Sequence, residues 1–215
     1  MRTERRRLGC QSISPVPVEY IHADKRQAIQ TDWVPGLDPK IELDMRLDNL
    51  VQETGLNNTI FGVTEADENV LFAANFGGST NQGTQIYFWN DKKYGSGGVI
   101  HTLSPIYYRE RALLTMTSNS ATAYVKYEWA VSPKYSTTNL NSRTAANTKP
   151  IMLLGSTNAP LNRYDTWLYG VKCWNDGVLE REYVPARKNG VYGLWDKIEG
   201  KFLASITGVN FLGPE

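Results

Sequence analysis

The sequence predicts an all-β fold, a two-sheet antiparallel jelly-roll sandwich, and three observations predict it. Apolar and polar residues alternate with a period of two over most of the chain, as in residues 40–48, where Ile41, Leu43, Met45 and Leu47 interleave with Glu42, Asp44, Arg46 and Asp48. Gly, Asn, Pro and Ser punctuate the gaps between such runs, at PGLDP, GLNN, FGGSTNQG, GSGG, NDG and KNG. No window of about 12 residues sustains an apolar stripe at helical spacing. Many short strands separated by turns make a sandwich or a barrel, and 215 residues favour a two-sheet jelly roll.

In chain order, residues 1–16 form a basic arm, with Arg2, Arg5, Arg6 and Arg7 against Glu4. That arm carries +3 and the other 199 residues −2, so the net +1 is a sum of unlike parts. An export signal would continue into about 7–15 apolar residues, whereas QSISPVPVEY follows here. Strands are then expected at 18–23, 27–33, 40–48, 59–64, 69–76, 84–89, 111–117 and 150–156. At 123–129, Ala123, Val125, Tyr127 and Trp129 share one face, which assigns Tyr127 and Trp129 to the core. At 166–175, simple alternation puts Trp167, Tyr169, Val171 and Cys173 on one face, with Trp167 in the core, and Leu168, Gly170, Lys172 and Trp174 on the other. Asn175-Asp176-Gly177 then reads as a hairpin turn, with Gly177 supplying a positive φ. The returning strand at 177–184 is expected to end at Pro185, and a further strand at 201–206 closes the domain. Residues 17–215 show no internal boundary and form one domain after the arm.

Several function classes are excluded. A net charge of +1 does not suit nucleic-acid binding by bulk electrostatics, and no apolar run spans a membrane. Cys10 and Cys173 form no CxxC pair and read as two unpaired thiols. His22 and His101 lie in neither HExxH nor a nucleophile elbow and read as strand or loop residues. No phosphate-cradling glycine loop occurs.

The chain end carries a recognisable series: Asn175-Asp176-Gly177, Glu182-Tyr183-Val184-Pro185-Ala186-Arg187, Gly190-Val191-Tyr192-Gly193-Leu194-Trp195-Asp196, Gly200-Lys201-Phe202 and Gly213-Pro214. This series resembles the C-terminal half of the laminin-G-like, concanavalin-A-like jelly-roll family of gut bacteria and their bacteriophages. Tyr20, Ile21, Gln27, Ile29 and Thr31 are similar to the family's opening, with Asp32 and Trp33 departing from its Asp-Thr-Gly. In physical terms, Gly190 and Gly193 let the chain turn tightly, and Asp196 accepts hydrogen bonds from turn amides. A closing strand beside the opening one would tie the two ends of the domain together.

Laminarinase-like enzymes of this fold carry Glu-x-Asp-x-x-Glu on one strand. Here Glu42-Leu43-Asp44 is followed by Leu47 in the place of the second Glu, so the acid/base of a glycosidase is missing. The resemblance leaves calcium at a rim open, but no DxDxDG loop exists, no ligand is nominated and no cofactor is expected.

Binding is the more natural class, because rigid aromatics stack on sugar faces. Strand parity selects Tyr87, Trp89, Tyr124 and Trp174 as outward-facing ligand-binding candidates. Residues 69–90 carry no charge, which suits the centre of a sheet. The expectation is a non-enzymatic virion surface protein of a bacteriophage: a fibre, decoration or tail-associated component assembled in the host cytoplasm. Arg2, Arg5, Arg6 and Arg7 would dock it onto other virion proteins, leaving the jelly roll for host or glycan adhesion. The alternative is a carbohydrate-binding adhesin module at a bacterial extracellular surface. Both readings involve no nucleic acid and no membrane, and both accommodate a homo-oligomer.

Overall fold

A computed structural model of the chain describes residues 14–24, 27–50, 58–63, 72–78, 84–90, 101–106, 111–118, 121–125, 135–137, 146–155 and 164–214. The described strands are, in chain order, β1 (Val16–Pro17), β2 (Ile21–Asp24), β3 (Ile29–Gln30), β4 (Pro39–Leu50), β5 (Asn58–Val63), β6 (Phe72–Gly78), β7 (Thr84–Asn90) and β8 (His101–Ile106). They continue as β9 (Arg111–Thr117), β10 (Ala121–Val125), β11 (Tyr135–Thr137), β12 (Met152–Leu153), β13 (Tyr164–Asn175), β14 (Val178–Lys188), β15 (Val191–Asp196) and β16 (Lys201–Leu203). Among the described residues there is no helix, and every strand pair is antiparallel.

Two sheets result. The larger runs β11-β10-β9-β4-β13-β14-β15-β16, with β1 beside β14 and β2 beside β13; the smaller runs β3-β12-β5-β6-β7-β8. The chain crosses between them at β2 to β3, β3 to β4, β4 to β5, β8 to β9, β11 to β12 and β12 to β13. One apolar cluster joins the sheets: Ile41, Leu43, Leu114, Leu168 and Val171 from the larger, Ile29, Ile60, Phe61 and Leu153 from the smaller, and Trp33 and Phe211 from connecting segments. Each fully buried aliphatic or aromatic side chain of this kind contributes about 1.5–3 kcal/mol. The result is an all-β sandwich of two antiparallel sheets.

The alternation of β4 and β9 matches the expected pattern. Ile41, Leu43 and Met45 are buried and register with Met116, Leu114 and Ala112. Strand β13 does not alternate simply. Its register against β4 steps from Leu168↔Met45 to Gly170↔Asp44, so Tyr169 is an extra, bulged residue. The bulge reverses parity along the strand. Thr166 and Leu168 face inward before it, Val171 and Cys173 after it, and Trp167 falls on the outer face. Trp167 is therefore not a core residue, contrary to the alternation argument. Tyr127 and Trp129 lie outside the described residues.

Strand β14 also departs from expectation by running through Pro185 to Lys188. Near its turn it pairs with β13, from Asn175↔Val178 to Val171↔Tyr183. Beyond that the hairpin splays, and β1 and β2 enter the gap. Val16↔Arg187 and Pro17↔Ala186 line one side, and Ile21↔Leu168 to Asp24↔Asp165 the other. Pro185 accepts from the Val18 amide at 2.9 Å, so its edge without an N–H faces the splay. On its other side β2 meets the chain end: His22 and Leu212 exchange both backbone hydrogen bonds, at 2.8 and 3.0 Å. Opening and closing segments are thus adjacent.

Asp176 (φ 48°) and Gly177 (φ 77°) form the anticipated hairpin turn, and Asn189 (φ 51°) and Gly190 (φ 82°) repeat that geometry between β14 and β15. Gly193 plays another part, because it lies inside β15 rather than in a turn. A Cβ there would sit 2.3 Å from the Leu203 carbonyl oxygen of β16. The residue permits backbone approach, not reversal. Gly193→Ala is expected to cost about 1–3 kcal/mol through overpacking against backbone. In thermal denaturation this reads as a Tm lower by several degrees; an unchanged Tm would show that β16 shifts freely.

Candidate functional site

The outer face of the larger sheet carries the polar half of each alternating strand, and cross-strand register sorts it into rows. Arg46, Trp167 and His22 form one row, Leu113, Asp44 and Gly170 a second, Thr115, Glu42, Lys172 and Glu182 a third, and Thr117, Lys40 and Trp174 a fourth. Aromatic rings on this face are covered by cations. The Arg46 guanidinium lies 4.1 Å from the Trp167 ring, Arg111 3.7 Å from Tyr169, and the Lys40 ammonium 4.3 Å from Trp174. His22 stacks on Trp167 at 3.9 Å with the planes 9° apart. Each cation–π contact of this kind contributes about 0.5–1 kcal/mol where exposed.

The bulge opens a depression of about 300 Å³ in this face. Gly170 forms its floor, having no side chain where the row would otherwise be filled. Leu113, Tyr169 and Val184 supply apolar wall, and Glu42, Asp44, Lys172 and Glu182 supply polar groups. Every one of those carboxylates already holds a cation. Asp44 takes a two-pronged hydrogen bond from Arg111 at 2.7 and 2.9 Å, Glu42 pairs with Lys40 at 2.7 Å, and Glu182 meets Lys197 at 3.1 Å and Lys172 at 3.9 Å. The Asp44 hydrogen bond raises the Arg111 pKa further, so that clamp is permanently ionised. Chemically, the arrangement offers oriented donors and acceptors with no uncompensated carboxylate.

A second polar cluster closes the inner side of the sandwich at its rim. Cross-strand register places Arg181 beside Cys173 and Asp196 beside Tyr183, all on the inward face of the hairpin. Asp32, from the segment after β3, accepts from the Arg181 Nε, the Tyr183 hydroxyl and the Lys201 ammonium, each at 3.1 Å. Arg181 also approaches Asp196 at 3.4 Å and Glu199 at 3.2 Å. Asp196, 1% exposed, receives the Ile198 and Glu199 amides at 3.0 and 3.4 Å, the turn-capping role expected for it. Next to it, Asn175 bonds the Gly36 amide and the Val34 carbonyl, pinning the same segment.

These surroundings assign protonation states. Burial pushes the Cys173 thiol well above its ordinary value and the Asp196 charge adds to this, so the thiol is not a nucleophile. Burial, with the nearby Cys173 and Asp32, likewise drives the Tyr183 hydroxyl up, keeping it a donor to Asp32. For Asp32, burial acts to raise the carboxyl, but hydrogen bonds from Lys201, Arg181 and Tyr183 and the Arg181 charge outweigh it. The carboxyl stays below its ordinary range.

The structure distributes the predicted ligand-binding residues rather than gathering them. Tyr87 and Trp89 belong to β7 of the smaller sheet, in register with Asn75 and Ala73. Tyr124 belongs to β10 of the larger sheet and registers with Leu113, a residue that lines the depression. Trp174 is on the outer face as expected, but Lys40 occupies its ring. Arg2, Arg5, Arg6, Arg7 and Cys10 lie outside the described residues. His22 is a strand residue 3.8 Å from Asp165, and His101 lies in β8 opposite Phe88. Among the described residues no group of three or more His, Cys, Asp or Glu side chains could hold a metal. Sequence reasoning missed the depression, whose only signal is a glycine in an otherwise well-formed strand. It also missed the Asp32–Arg181 cluster, whose members are 149 residues apart.

No protein-family model and no curated protein matches the chain.

The Asp32 cluster has a defined pH signature. A carboxyl depressed in the folded state adds stability above its unfolded pKa, about 3.9, and loses it as pH falls through the folded value. Urea unfolding of wild type and Asp32→Asn should therefore differ fully at pH 6–7 and converge toward pH 2–3. A constant difference across that range would mean Asp32 acts by packing alone.

Proposed function

We propose that the protein is a non-enzymatic surface component of a bacteriophage virion, docked through its basic arm and displaying a laminin-G-like jelly roll for adhesion. The observation that carries this reading is the way the chain enters the fold. Val16 and Pro17 are built into the larger sheet beside Arg187 and Ala186, and β2 is locked between β13 and Leu212. A segment preceding Val16 therefore leaves from a fixed point, as an attachment arm requires. The arm's +3 charge, set against −2 for the rest, suits an acidic acceptor on the particle.

The resemblance of both chain ends to laminin-G-like modules adds support, and the two closing hairpins coincide with the quoted motifs. The catalytic alternative is weak on backbone grounds. Register against β9 is unbroken from Asp44↔Leu113 to Arg46↔Arg111, so position 47 has opposite parity to Glu42 and Asp44. A Glu-x-Asp-x-x-Glu set could not converge on one face there. A glycan is the adhesion partner best suited to the outer face, where donors and acceptors are numerous and charges are paired.

The test is deletion of residues 1–13, which leaves every described strand in place. The truncated protein should keep its Tm but disappear from purified particles when it replaces the full chain. Undiminished incorporation would overturn the docking claim.

A further inference from the structure

The glycan-adhesion half of that reading leaves the contact point open, and we propose that it is the depression over Gly170, built to seat one uncharged sugar ring. The inference rests on the adhesion reading and on four features. At about 300 Å³ the space lies at the small end of ligand sites. Its floor is a glycine next to a β-bulge, a combination that makes room above a sheet that side chains would otherwise fill. Leu113 and Val184 supply the apolar wall that the C–H faces of a pyranose require, while the Tyr169 ring beside them carries Arg111 on one face.

The fourth feature is charge. Asp44, Glu42 and Glu182 can accept from hydroxyls, and Lys172 can donate to them. Because Arg111, Lys40, Lys172 and Lys197 already compensate the three carboxylates, the rim has no surplus negative charge for a metal ion or a basic peptide. Those ion pairs instead hold the carboxylates in place, which favours a ligand recognised by several directed hydrogen bonds. Three carboxylates and one lysine line the depression itself, which disfavours an acidic sugar, so the ligand class is a neutral polyhydroxyl compound and, for an adhesion module, a neutral glycan.

Gly170 also provides the test. Its φ is not in the left-handed region, and a Cβ there would lie 3.6 Å from the Tyr183 carbonyl oxygen, an ordinary contact. Gly170→Val therefore fills the depression with a residue that strands favour. The full chain would be titrated calorimetrically with neutral hexasaccharides of the β-glucan, α-glucan, mannan and galactan series. Wild type should bind at least one with a Kd of about 1 mM or tighter, and Gly170→Val should weaken it about tenfold or more at unchanged Tm. Amide shifts of wild type on titration should centre on Gly170 and Lys172, which decides the matter if the variant folds poorly. Equal binding by the variant, or shifts centred elsewhere, would overturn this site and leave glycan adhesion standing. Failure of wild type to bind any of the four series would overturn both, while the arm's docking role is judged separately by particle incorporation.

Discussion

The two faces of the larger sheet are set by one extra residue, Tyr169, placed between Leu168 and Gly170 of β13. Without it, every position on one side of that point would change faces. Either Thr166 and Leu168 or Val171 and Cys173 would be turned into water, at about 1.5–3 kcal/mol for each large apolar side chain exposed. With it, both halves of β13 meet the core, and Trp167 is left outside between Arg46 and His22. The bulge also adds twist, and the hairpin splays just beyond it. The entry of β2 against Leu168 and the space over Gly170 lie on either side of that local event.

The rim cluster solves a different problem. Arg181 and Asp196 face inward from neighbouring strands, and an inward charge without a partner would cost several kcal/mol. Asp32 and Lys201 complete the set, with the Tyr183 hydroxyl as a further donor. The connection after β3 is thereby tied to β14 and β16, elements far from it in sequence. Such a cluster specifies which segment covers the sandwich end more than it adds net stability, since desolvation offsets much of the ionic attraction.

What could be read in advance depended on range. Strands β4 and β9 were legible because period-two alternation is local, and the Asp176-Gly177 turn because its φ values demand those residue types. Strands β8 and β15 were not, since His101–Ile106 and Val191–Asp196 mix glycine, proline and charge with the apolar residues. Trp167 was assigned to the wrong face because a bulge is a one-residue event that leaves composition untouched. Pro185 reads as a strand end in sequence because its tolerance depends on which edge is unpaired, a property of the splayed partner. Of the site, the outward position of Trp174 was visible in parity. Its cover by Lys40 was not, because that contact depends on the register of β4 against β13.

The position of β2 has a structural consequence. It is bonded on one side to β13 and on the other to the segment at Leu212. Residues 16–24 are thus stitched to three separate parts of the chain, β14, β13 and the segment at Leu212, so the entry of the chain cannot loosen without disturbing its close.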